Sequence, residues 1–77
     1  MNKVMTENLW LLSNKNIEFE VKLCGSKKLA CVKLKNGKTA MFCPMTCNTR
    51  YGNKKFNTTS VASFIRFLDR LNNVNSN

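Results

Sequence analysis

Between Ile17 and Cys43 the chain reads as three short runs of alternating apolar and polar character, parted by Gly25-Ser26 and Asn36-Gly37. Ile17-Glu18-Phe19-Glu20-Val21-Lys22-Leu23 alternates strictly, which is the pattern of a half-buried strand. Leu29 to Lys35 and Lys38 to Cys43 form the second and third runs, and Pro44 stops the third because it has no N–H to give a ladder. Asn-Gly between such runs is among the strongest short-range hairpin signals.

Two-residue turns at both places predict a register. Val21 faces Ala30, Phe19 faces Val32 and Ile17 faces Leu34; then Leu34 faces Thr39, Val32 faces Met41 and Ala30 faces Cys43. Both turns place Ala30, Val32 and Leu34 on one apolar face with Ile17, Phe19, Val21 and Leu23. A slip of one residue in either turn flips a whole strand. The other face then carries Lys22, Lys33, Lys35 and Lys38, with Phe42 among them and Glu18 and Glu20 at one side.

From Thr59 the period changes. Val61, Phe64, Ile65, Leu68 and Leu71 recur at three and four residues, the mark of an amphipathic helix. Thr58, Thr59 or Ser60 supplies its cap. Ser63, Arg66, Asp69 and Arg70 form the wet side, and Phe67 lies at the edge of the stripe. The expected helix covers 58–72, with a frayed tail over 73–77. In the N-terminal segment, 1–16, Thr6 is placed to cap a short helix through Leu12, and a strand fits the short apolar run equally well. Within the polar segment 45–57, Arg50 to Phe56 reads either as a hairpin about Gly52-Asn53 or as a fourth strand leading into the helix.

The expected architecture is therefore a single α+β domain over residues 1–77. A small antiparallel meander of three or four strands packs on a C-terminal amphipathic helix, and the N-terminal segment adds either a short helix or a strand. A chain of 77 residues buries only about 60% of its unfolded surface, so stability is modest.

Charge narrows the function. Thirteen Lys and Arg stand against four Asp and Glu, a net charge of +9. That excess favours an acidic partner: nucleic acid, an anionic membrane surface or an acidic protein patch. The chain has no histidine, which removes the commonest general base and the commonest metal ligand. With Glu7, Glu18, Glu20 and Asp69 as its acids, it offers little to catalysis, and the expectation is a protein that is not an enzyme. Leu9 to Leu12 is too short for the apolar core of a secretory signal. No stretch approaches the ~20 apolar residues of a membrane span. The expected location is the cytoplasm, that of the host cell if the protein is phage-encoded.

Four cysteines invite a zinc site or disulfides. In the predicted register Cys24 and Cys31 share the outer face but lie about 13 Å apart at ~3.3 Å per residue, against the ~7 Å between Cα atoms that a disulfide allows. Cys43 falls on the inner face. Only Cys43 and Cys47 are near enough to pair or to hold a metal together. Their three-residue spacing is wider than that of zinc knuckles, and no second ligand pair is in reach. Free thiols are expected, with Cys43 buried as a small hydrophobe, and neither metal nor cofactor.

The candidate binding surface is the outer sheet face with the adjoining loop. Lys22, Lys33, Lys35 and Lys38 would neutralise phosphates, Arg50, Lys54 and Lys55 would extend the track, and Phe42 or Tyr51 would stack on a base. Lys27 and Lys28 add charge at the first turn. Lysines on a solvent face are also an ordinary guard against edge aggregation.

The order of meander then helix, with the join Lys55-Phe56-Asn57-Thr58-Thr59-Ser60-Val61-Ala62, resembles the small amino-terminal DNA-binding domains of tyrosine integrases and the related AP2 domain. That resemblance covers Ile17 to Leu71 and implies DNA recognition by the exposed face of a three-stranded sheet packed on one helix. In size and basic character the chain is also similar to small phage and mobile-element inhibitors, anti-CRISPR proteins among them. These dock on a host nucleic-acid-processing complex. The partners expected are nucleic acid or an acidic surface of such a complex, with no membrane, and a homodimer through an exposed third strand.

Overall fold

A computed structural model describes residues 3–75. Its elements are α1 (Lys3–Asn14), β1 (Glu20–Cys24), β2 (Lys27–Lys33), β3 (Thr39–Phe42), β4 (Thr49–Tyr51), β5 (Lys54–Phe56) and α2 (Val61–Asn75). The class is α+β, as expected, but the sheet has five strands in the order β1-β2-β3-β4-β5. All neighbours are antiparallel. Gly52-Asn53 makes the hairpin that adds the last two strands, with Tyr51 opposite Lys54.

Helix α1 begins before Thr6, which lies inside it instead of capping it. The reason is a stripe the short run at Leu9–Leu12 hides: Met5, Leu9 and Leu12 recur at helical spacing, and all three turn away from solvent. The helix ends in a Schellman motif. Asn16 takes the left-handed conformation (φ 59°). Its N–H donates to Ser13 O at 3.1 Å, and that of Ile17 to Leu12 O at 3.1 Å. The turn sends Ile17 and Phe19 back against the core. The ladder then starts at Glu20, later than the alternating pattern suggests.

The first hairpin follows the predicted register, with Val21 opposite Ala30 and Lys22 opposite Leu29. The second is displaced by one residue: Val32 faces Ala40 and Ala30 faces Phe42. Its loop has three residues, not two. Leu34 N–H donates to Lys38 O at 2.8 Å, Gly37 N–H donates to Leu34 O at 3.0 Å, and Gly37 sits at φ 86°. This is a type I turn followed by a left-handed residue, the next commonest way for Asn-Gly to close a hairpin. Asn36 holds it by accepting from Lys38 N–H at 2.9 Å.

One residue of displacement flips β3. Ala40 and Phe42 turn inward and Met41 turns outward. The core then unites Leu12 of α1, Ala30, Val32 and Leu34 at β2, Ala40 and Phe42 of β3, and Val61, Phe64 and Leu68 of α2. Both helices therefore pack on one face of the sheet. Helix α2 is capped by Ser60, whose Oγ accepts from Ser63 N–H at 3.1 Å. It continues to Asn75, so most of the tail expected to fray is helical, and residues 76–77 lie outside the described part.

Candidate functional site

The outer face of the sheet has no helix on it among the described residues, because both helices spend their apolar stripes on the inner face. Pairing sets one row across all five strands: Glu20, Cys31, Met41, Arg50 and Lys55. Two shallow grooves lie along this face. One, of about 370 Å³, has Leu29, Met41 and Cys43 among its lining and Lys27, Arg50 and Lys55 around it, with no carboxylate. The other, toward β1, brings Lys22 and Lys33 together with Glu18 and Glu20. The uncompensated positive charge thus lies around the first groove, which runs from the β1–β2 turn to β4 and β5, while Lys22 and Lys33 are partly compensated by Glu18 and Glu20.

Several expected site residues are elsewhere. Phe42 is fully buried, stacked on Phe64 and not on the outer face, as the displaced register requires. Trp10, on α1, is 62% exposed. Tyr51 points inward, edge-on to Phe67 at 6.3 Å, and its hydroxyl accepts from Asn36 Nδ2 at 3.1 Å, so it is not free to stack. Lys38 takes the inner-face parity of Ala40 and Phe42 at the hairpin's end. Lys35 lies in the loop, which is drawn toward α2 by a 3.2 Å bond from its N–H to Asn72 Oδ1. Lys54 pairs with Tyr51 and shares its inward parity, while Lys55 and Arg50 lie outward. Lys22 and Lys33 are outward as expected. Lys27, expected only to add charge at the first turn, and Met41, expected on the inner face, both belong to the groove. A three-residue loop at Asn36-Gly37, or the preference of a large aromatic for the core, would have brought Met41 out.

The displaced register also moves Cys43 to the outer face, beside Cys24 in the lining of the basic groove. All four cysteines are free thiols, and no group of three or more His, Cys, Asp or Glu able to hold a metal occurs among the described residues. Cys43 opens a tight loop. Its N–H donates to Asn48 O at 2.8 Å and its carbonyl accepts from Cys47 N–H at 2.7 Å, with Cys47 left-handed at φ 66°. Helix α1 clamps this loop through Asn8, whose Nδ2 donates to Pro44 O at 2.7 Å and to Cys47 Sγ at 3.4 Å.

The thiols differ in acidity. Burial pushes Cys43 up, but hydrogen bonds from the Thr46 hydroxyl and the Thr46 and Met45 N–H groups, with Lys27 nearby, outweigh it and leave the thiol below its ordinary value. Cys31 is raised by burial, partly opposed by Lys22 and reinforced by Glu20. Cys47 is raised by burial and by Cys43, against the bond from Asn8.

No helix among the described residues is long and apolar enough to cross a membrane. Comparison with known proteins gives no match: no family model fits the chain, and no curated protein or solved structure is significantly similar to it.

Proposed function

We propose that this protein binds nucleic acid without catalysing a reaction, through the part of the outer sheet face that runs from the β1–β2 turn to β4 and β5. The observation that carries the reading is the convergence of Lys27, Arg50 and Lys55 on one groove without a carboxylate, on a chain of net charge +9. Such groups neutralise phosphates and release counterions. The reading shares with the integrase resemblance the use of an open sheet face, on a larger sheet with a second helix. The lining of this groove includes no aromatic ring, so bases have nothing to stack on there. Contacts are then chiefly to the backbone, tolerant of sequence, and duplex is favoured over single strands.

The groove also has an apolar floor of Leu29 and Met41. That feature favours a second reading, a small inhibitor docking by the same face on an acidic surface of a nucleic-acid-processing complex; methionine suits adaptable protein contacts. Fluorescence anisotropy with labelled duplex and single-stranded DNA and RNA, titrated at rising salt, tests the first reading. Binding that weakens linearly in log affinity against log salt is expected. Undetectable binding at low ionic strength to every probe overturns it and leaves the docking reading.

A further inference from the structure

The third strand, expected at the edge, lies at the centre of the sheet, so the free edges are β1 and β5. They are built differently. β5 is a three-residue strand bearing Lys54 and Lys55, and short, lysine-bearing edges resist pairing with another chain. β1 has five residues, all exposed. On its inner parity it leaves Val21 49% and Leu23 72% exposed, beyond the reach of both helices.

The order of residues on β1 is self-complementary. Laid antiparallel against its own copy with Val21 on the two-fold axis, Phe19-Glu20-Val21-Lys22-Leu23 puts Glu20 opposite Lys22 of the partner subunit. Symmetry repeats the pair, and Leu23 comes opposite Phe19 of the partner subunit. Hydrogen-bond parity agrees with this register. In a two-residue hairpin the flanking residues, here Cys24 and Lys27, exchange both ladder bonds. Lys22 and Glu20 then also bond toward β2, and Val21 and Leu23 present N–H and C=O to the open edge. Across the two-fold, Val21 pairs with its copy by hydrogen bonds. Glu20 and Lys22 fall in the non-hydrogen-bonded position, where side chains come closest.

We infer that the protein forms a symmetric homodimer by antiparallel pairing of β1 with β1 of a second copy, centred on Val21. The interface is isologous, as a two-fold requires, and the sheet runs through ten strands, twice the five of one chain. The exposed Val21 and Leu23 gain apolar neighbours. The outer faces of both copies lie on the same side, because the axis is perpendicular to the sheet. The pairing does not depend on what the outer face binds.

Sedimentation equilibrium of the full chain, from micromolar to near-millimolar, tests it with a charge exchange. Glu20→Lys sets lysine against lysine twice, and Lys22→Glu sets glutamate against glutamate twice; each is expected to weaken self-association by about tenfold, since like charges directly opposite are destabilising. The double variant E20K/K22E restores opposite charges and dimerises like the parent. Lys22→Glu is the informative single: replacing +1 by −1 lowers the net charge from +9 to +7, which would strengthen association if overall repulsion governed it. Val21→Pro removes the central intermolecular bonds without touching the ladder to β2 and is expected to give a monomer, with circular dichroism confirming that it remains folded. A parent that stays monomeric over the whole range overturns the proposal, which would leave the edge to a strand from another protein. A parent dimer whose single charge variants associate equally well, or whose double variant does not recover, overturns it too.

Discussion

Phe42 of β3 and Phe64 of α2 stack with ring centroids 4.6 Å apart and planes inclined by 27°. Both rings are fully buried, and the pair joins the middle strand of the sheet to its covering helix. The consequence reaches the opposite surface. With Phe42 inward, Met41 and Cys43 must face out, and the floor of the basic groove is set.

Truncating this pair is expected to be severe. Phe42→Ala or Phe64→Ala removes a buried ring and costs about 3–5 kcal/mol, a large share of the total for so small a domain. Phe42→Leu is expected to retain the fold at a smaller cost. Thermal unfolding followed by circular dichroism checks both. An exposed Phe42 would lose only a few tenths of a kcal/mol on substitution, roughly the surface range.

A buried hydroxyl relay locks the loop after β3 to the start of α2. Thr58 donates to Cys47 O, so its single proton is committed, and Thr49 must be the donor in the 2.6 Å contact between the two hydroxyls. Both threonines are buried. Thr58→Val strands the Thr49 hydroxyl and the Cys47 carbonyl and is expected to cost about 1–3 kcal/mol. Thr58→Ser keeps the relay and is expected to cost much less. Urea unfolding midpoints measure the difference.

Cys43 is expected to be alkylated faster than Cys31 and Cys47 at neutral to mildly basic pH. Its thiol titrates below the ordinary value, whereas theirs titrate above it. The thiolate is the nucleophile, so the Cys43 rate rises at lower pH and reaches its plateau before the other two. Thr46→Val removes the hydroxyl bond to the sulfur, raises the thiol and shifts the Cys43 profile to higher pH. Iodoacetamide labelling read by peptide mass spectrometry over a pH series follows each site separately.

For the proposed binding, Arg50→Ala and Lys55→Ala should each lower the salt slope by about 0.9 if one phosphate contact is lost. Lys38→Ala, off the outer face, should leave the slope unchanged. Anisotropy titrations of the three variants at several salt concentrations make the comparison. Equal losses at all three positions would locate the binding elsewhere on the surface.

The sequence carries much of this fold in local signals. The alternation of Ile17–Leu23 and the Gly25-Ser26 turn predict the first hairpin in its true register, since Gly25 alone can take the left-handed position there (φ 65°) without strain. The period of Val61 to Leu71 predicts α2 and its buried stripe. Gly52-Asn53 signals the last hairpin without deciding between hairpin and single strand. Asn36-Gly37 shows the limit of such signals. The same dipeptide closes a two-residue or a three-residue loop, and the residues from Lys38 to Cys43 alternate too weakly to choose.

What the sequence determined by itself is composition-driven and local: an α+β class, a basic chain without histidine, the positions of turns and the helix period. Which side of β3 faces water was decided only by the tertiary structure. Two registers satisfy the turn, but only one places Phe42 against Phe64 and Ala40 under the helices. Burial of those side chains outweighs the small difference between loop types. The candidate site followed that choice: Phe42 and Lys38 leave the outer face, Met41 and Cys43 join it, and Arg50 and Lys55 stay on it. The far edge likewise moved from β3 to β5, because the added hairpin covers β3, while β1 is an edge in either arrangement and keeps Val21 and Leu23 at the margin.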